Sequence, residues 1–223
     1  MHQSALTPEQ EMTLLQLFPV AKGRPDAAPF AVQALLDAER WRRGAPDSVS
    51  GAFHALALNQ GSLLKEEYDL STHGHYAGWV IGAVIVDIRE LTMVNQRHNF
   101  ETGDTVLRAT ADTLKRYAPK SKVVRIHADA FAMLLGPLAE LPVAPEMAEE
   151  VRVALTAEGP PISSPLTYSI AMLELTLVAP SHWQVLGPLV WAECERALVM
   201  EQRSGPLNVQ KRHIALDAAV PLP

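Results

Sequence analysis

The chain has 223 residues, 48% of them hydrophobic, and a mean hydropathy near zero, enough to bury one substantial core and carry a small accessory segment. Its formal charge is −6 and its longest cationic cluster is Arg40-Trp41-Arg42-Arg43, so it lacks the electrostatic footprint of a nucleic-acid or anionic-membrane binder. The single cysteine, Cys194, excludes an internal disulfide and a cysteine-rich metal site; it reads as a small buried apolar residue and fits a reducing, cytoplasmic setting.

Residues 1–18 lack a basic start followed by an apolar block, so no signal peptide is expected. Thr7-Pro8-Glu9-Gln10 offers instead a cap, a first-turn proline and a glutamine at the third position, ahead of Met12, Leu14, Leu15 and Phe18. That pattern predicts a short helix with one apolar side. After a Pro- and Gly-rich break at 21–28, Val32, Leu35 and Leu36 line one face of a second predicted helix over 29–43, which Gly44 stops. The break near 44–46 sets residues 1–45 apart as an N-terminal helical extension. Asp47 is placed to cap a third helix through about residue 60, with Val49, Ala52, Phe53 and Leu56 at helical spacing. Residues 62–76 mix signals, and His73 and His75 lack the companion ligands a metal would need, so they read as loop residues.

The longest apolar run, 77–86, is too short to span a bilayer and ends in Asp87, which predicts a buried strand. A short helix over 91–97 and a longer one over 102–117 follow, the latter carrying Leu107, Thr110, Ala111 and Leu114 and closed by Pro119. Val123-Val124-Arg125-Ile126 and Phe131-Ala132-Met133-Leu134-Leu135 are β-prone runs separated by residues 127–130, the spacing of a hairpin. A helix over 145–157, a strand over 166–175, a helix over 181–203 and a short strand over 209–216 complete the order. An α+β fold, a mixed sheet with helices packed on it, is the compact solution for that order.

Asp87 ends one predicted strand and Asp129 lies on the turn between two later ones, so an antiparallel sheet would carry both carboxylates to one end. Such a pair suits Mg²⁺, which takes one or two protein carboxylates together with substrate phosphate oxygens. Each residue also has a plain structural use. Asp87 would cap the next helix, Asn95 and Asp104 would be solvated or first-turn helix residues, and His127 and Asp129 would make the turn.

Taken together, these residues resemble a GGDEF domain, the palm-type fold of bacterial diguanylate cyclases that condense two GTP molecules into cyclic di-GMP. Asp87-Ile88 is similar to the family's first metal-binding aspartate and its follower. Asn95, eight positions on, and Gly103-Asp104, whose aspartate lies nine beyond that, match the asparagine and the Gly-Asp pair that contact guanine. The signature turn falls on His127-Ala128-Asp129-Ala130-Phe131, preceded by Arg125 where the family commonly has arginine. Asp47-Ser48-Val49-Ser50-Gly51 resembles the Asp-x-Leu-Thr-Gly entry, and Tyr168-Ser169-Ile170-Ala171 the later Ser-Ile-Gly strand. The resemblance covers residues 46–216, leaves 217–223 as a tail, and implies a mostly antiparallel central sheet flanked by helices.

It also implies what has been lost. His127 and Ala128 stand where paired glycines let the backbone approach the nucleotide phosphates, and a Cβ there obstructs that approach. Asp129 keeps the metal-binding acidic position, but Ala130 replaces the glutamate that assists deprotonation of the attacking hydroxyl. A methyl group neither accepts a proton nor coordinates a cation, and losing a general base costs about 10²-fold to 10⁴-fold. Thr92, Gln202 and Pro206 replace cationic phosphate contacts. Ala118 and Ser121 replace the Arg and Asp of the site where product binds and inhibits.

The expectation is therefore a catalytically inactive GGDEF-like protein, a regulatory or scaffolding protein-interaction module in bacterial signalling, with motility, polarity or surface attachment as outputs. A GTP-binding sensor without turnover is the alternative, using Asn95 and Asp104 for guanine and Asp87 and Asp129 for metal, with GTP and Mg²⁺ held weakly. A weak diguanylate cyclase or another palm-type nucleotidyl transferase ranks below it. A protein partner is expected; no further cofactor, nucleic acid, membrane insertion or cyclic di-GMP at the usual inhibitory site is.

Overall fold

The computed structural model describes residues 36–38, 40–41, 44–59, 61, 63–64, 80–119, 121–138, 146–158, 166–177, 183–204 and 210–214. In chain order the elements are β1 (Phe53–His54), α1 (Ala55–Asn59), β2 (Val80–Ile88), α2 (Leu91–Arg97), α3 (Phe100–Tyr117), β3 (Lys122–Arg125), β4 (Ala130–Leu138), α4 (Glu146–Ala157), β5 (Tyr168–Leu177), α5 (Trp183–Ser204) and β6 (Gln210–Ile214). They form a six-stranded sheet in the order β1-β3-β4-β2-β5-β6. The four inner strands pair antiparallel and the two edge strands pair parallel with their neighbours.

The central strand β2 is buried along nearly its whole length, so from Val80 to Val86 its sequence is apolar without alternation. Its side chains nevertheless divide between two cores. Ile81, Ala83 and Ile85, with Ala130, Ala132 and Leu134 of β4 and Ala171, Leu173 and Leu175 of β5, pack against α1 and α5. Val84, Val86 and Ile88, with Phe131 and Met133 of β4 and Ile170 and Met172 of β5, pack against α2, α3 and α4. Each fully buried Val, Leu, Ile, Phe or Met contributes about 1.5–3 kcal/mol, so the sheet is held from both faces.

The helices follow from their stripes and caps. Asn99 begins α3 by accepting a hydrogen bond from Thr102 N at 2.8 Å, Glu101 sits in its first turn, and Lys115 and Arg116 lie in its last, all favourable to the helix dipole. Its buried Val106, Leu107, Thr110, Ala111 and Leu114 recur at three- and four-residue spacing. In α5 the buried stripe runs Leu186, Val190, Cys194, Ala197 and Leu198, and Glu201 continues it inward.

The predicted helix over 47–60 is not what forms. Asp47 caps a turn, Gly51 adopts a left-handed φ of 69°, and the chain enters β1, leaving a helix only over Ala55–Asn59. Val49 and Ala52 pack on the α2–α4 face while Phe53 packs on the α1–α5 face, so their helical spacing served two cores instead of one. Two smaller shifts matter for the site: β2 continues past Asp87 to Ile88, and Ala130 is the first residue of β4 rather than part of the turn. The predicted helix over 7–18, the histidines at 73 and 75, Pro206 and the tail over 217–223 lie outside the described residues, as does most of the helix over 29–43, whose described positions 36–38 and 40–41 are helical. Among the described residues no helix is long and apolar enough to cross a membrane.

Candidate functional site

Sheet register assembles the site. Asp87 of β2 lies directly opposite Ala130 of β4 on one side and Ser169 of β5 on the other. Directly paired residues share a face, so these three form a row at one end of the α1–α5 face, each buried. The last turn of α5 closes over that row. Gln202 Nε2 donates to Asp87 Oδ2 at 3.2 Å, and Glu201 lies 6% exposed beside it. Burial, and after it the nearby charge of Asp129, pushes the Asp87 carboxyl above its ordinary range; Glu201 adds to the rise, while Gln202 and Arg89 act against it.

Arg89 completes the cluster. Glu90 takes a left-handed φ of 61° at the turn into α2, and Arg89 N donates to Thr167 O at 2.9 Å, which anchors Arg89 beside the start of β5. From there its Nε donates to Ser169 Oγ and stands 3.8 Å from Asp87 Oδ2, while Nη2 stands 4.0 Å from Glu201 Oε2. Neither Arg89 nor Glu201 was singled out by sequence reasoning. The signal for Glu201 was present: four-residue steps from Leu186 through Val190, Cys194 and Leu198 carry the inward face on to that turn.

The turn between β3 and β4 is braced on both sides. Asp129 O accepts from Ile88 N at 3.0 Å, and Ala130 O accepts from Ile126 N at 2.9 Å, so the backbone of the turn is locked to the end of β2. Arg125 reaches across it, donating from Nη2 to Ala128 O at 2.6 Å and pairing through Nη1 with Asp47 Oδ1 at 3.0 Å. On the opposite side His127 Nε2 meets Glu195 Oε1 of α5 at 3.2 Å. Phe131 points away, fully buried in the core beneath α2–α4.

The remaining positions are dispersed. Asn95 packs onto Gly103 so tightly that a Cβ there would lie 1.9 Å from Asn95 Oδ1, and that oxygen is buried without a hydrogen-bond donor. Asp104 is half-buried one residue on, and Thr92 is exposed on α2. Ser121 turns back on Ala118, donating to its carbonyl from N at 2.9 Å and from Oγ at 2.6 Å. Cys194 is wholly buried, and burial pushes its thiol up to about 12, which leaves it inert as a nucleophile. Among the described residues no three His, Cys, Asp or Glu side chains are grouped as a metal ion would require.

A family model described as "Diguanylate cyclase, GGDEF domain" matches residues 59–172. Among solved structures, the GGDEF domain of DgcB from Caulobacter crescentus in complex with c-di-GMP is similar at 22% identity and a TM-score of 0.56, covering 75% of this chain and 95% of that one. The diguanylate cyclase SiaD from Pseudomonas aeruginosa, in complex with its activator SiaC, is similar at 20% identity and a TM-score of 0.56, covering 92% of this chain and 78% of that one. A diguanylate cyclase/phosphodiesterase from Caldicellulosiruptor saccharolyticus gives 13% identity and a TM-score of 0.56 over 76% of this chain and 95% of its own. No curated protein matches the chain.

Proposed function

The chain belongs to the GGDEF domain family, and from that premise we propose that it is a catalytically inactive member, a regulatory or scaffolding module that works by binding another protein in a bacterial signalling system. Motility, polarity or surface attachment are the outputs such a module would control. The observation that carries this reading is Ala130. It lies directly opposite Asp87 and is fully buried, at the position where the family resemblance places the glutamate that assists proton removal. A methyl group there supplies neither a proton acceptor nor a ligand.

Two further observations support it. Two of the positions that would carry phosphate or product contacts are neutral and otherwise engaged: Gln202 is bonded to Asp87, and Ser121 to Ala118. The fold itself is compatible with a protein partner, since SiaD is held in complex with its activator SiaC. For the GTP-sensor alternative, Asn95 would have to turn its amide away from Gly103, where its acceptor oxygen is now buried.

The test has two arms. Purified protein incubated with labelled GTP and Mg²⁺ is expected to yield no cyclic di-GMP, and affinity capture with cross-linking from its native lysate is expected to return one specific protein. Product formation that disappears in Asp87→Ala, or a chain that captures nothing above a fold-matched control, would overturn the proposal.

A further inference from the structure

The family resemblance implies a divalent cation between Asp87 and Asp129, and the side chains present do not fit one. Asp87 Oδ2 already accepts from Gln202 and faces Arg89 Nε at 3.8 Å. Ala130 offers a methyl group where a further ligand would stand. The main-chain oxygen of Asp129 is engaged by Ile88 N. A metal ion bonded to Asp87 would sit within a few ångströms of a permanently charged guanidinium, and like charges at that range in a half-buried site repel strongly.

We propose that Arg89 is the resident cation of the Asp87 site, taking the place of a divalent metal and tying the end of β2 to β5 and α5. Three things at the site call for positive charge. Asp87 is a buried carboxylate. Glu201 is another, and its Oε2 has no hydrogen-bond donor. The C-terminal turn of α5 adds the negative end of a helix dipole. Arg89 answers all three from one planar group: it donates to Ser169 Oγ, stands 3.8 Å from Asp87 and 4.0 Å from Glu201, and cannot lose its charge. The left-handed Glu90 and the Arg89 N to Thr167 O hydrogen bond hold its backbone where this reach is possible.

The experiment measures Mn²⁺ binding by electron paramagnetic resonance and melting temperature with and without Mn²⁺, on the full chain. Wild type is expected to bind no Mn²⁺ at millimolar concentration and to melt at the same temperature with or without it. Arg89→Ala is expected to melt lower, to acquire Mn²⁺ binding at the millimolar concentration where wild type shows none, and to recover part of its melting temperature when Mn²⁺ is added. Asp87→Asn in that background is expected to abolish the gain. Arg89→Lys, which keeps the charge, is expected to remain folded and insensitive to Mn²⁺. Mn²⁺ binding by wild type that is lost in Asp87→Asn, or an Arg89→Lys protein that acquires such binding, would overturn the assignment, as would an Arg89→Ala protein indistinguishable from wild type. The proposed function is judged separately: wild type that binds Mn²⁺ yet makes no product overturns the Arg89 assignment alone, whereas product from GTP overturns the inactive reading.

Discussion

Asp47 is 8% exposed and charged, a combination that survives only because its donors outweigh its burial. Burial on its own would raise its pKa; the hydrogen bonds from Ser50 N and Ser50 Oγ, both at 2.8 Å, and the Arg125 guanidinium reverse that and hold the carboxyl below its ordinary value of 3.8. With the folded value depressed, the stabilising contribution is complete above the unfolded value and drains away as pH falls through the folded one. Asp47→Ala should therefore cost about 1–3 kcal/mol in urea unfolding at pH 7, and the gap to wild type should close below pH 4. A gap independent of pH would mean that Asp47 acts through shape alone. Asp87 carries the opposite sign. Its pKa is raised by burial and by Asp129, so ionising it costs stability above its folded pKa, and that cost is relieved as pH falls.

Two glycines set the approach of elements, and they differ in what a Cβ would strike. On Gly187 of α5 it would lie 2.2 Å from Leu58 O and 2.7 Å from the Gly61 backbone, so the helix itself would have to move away from α1. Gly187→Ala should destabilise by about 1–3 kcal/mol, even though alanine favours a helix interior by up to about 1 kcal/mol. On Gly103 the nearest atoms a Cβ would meet belong to the Asn95 side chain, so Gly103→Ala should be rescued in part by Asn95→Ala. A double-mutant cycle by urea unfolding checks this, and additive costs would show that the two side chains do not interact. The same distinction between local pattern and distant contact explains what the sequence disclosed. Apolar and β-prone runs revealed β2 and β4, and helical spacing revealed α3, because each is buried along one face or more for most of its length. It failed over 47–60, where the parallel pairing of β1 with β3 rather than local spacing decides the conformation. Placement at a strand end and on a hairpin turn singled out Asp87 and Asp129, whereas the bond from Gln202 to Asp87 joins residues 115 apart and has no local signature.

Across the whole molecule, two cores on opposite faces of one sheet converge at the end where β2, the β3–β4 turn, the start of β5 and the end of α5 meet. Arg125 fastens that turn to the entry loop, His127 to α5, and Arg89 fastens β2 to β5 and α5. The result is an end of the sheet braced by ion pairs and hydrogen bonds between side chains of different elements. Its chemistry should accordingly resist repair at one position. Ala130→Glu restores the missing carboxylate in name, but it inserts a charge at a fully buried position directly opposite Asp87, near Asp129 and Glu201. An additional buried carboxylate without a cation of its own should lower stability by about 2 kcal/mol or more at pH 7. Because its folded pKa would be raised, the penalty should shrink as pH falls toward 5. The variant should still make no cyclic di-GMP from labelled GTP, since Arg89 keeps its hold on Asp87 and Thr92 and Gln202 supply no positive charge for phosphates. An Ala130→Glu protein that is as stable as wild type and forms product would show instead that the chemistry of this site was lost through a single side chain.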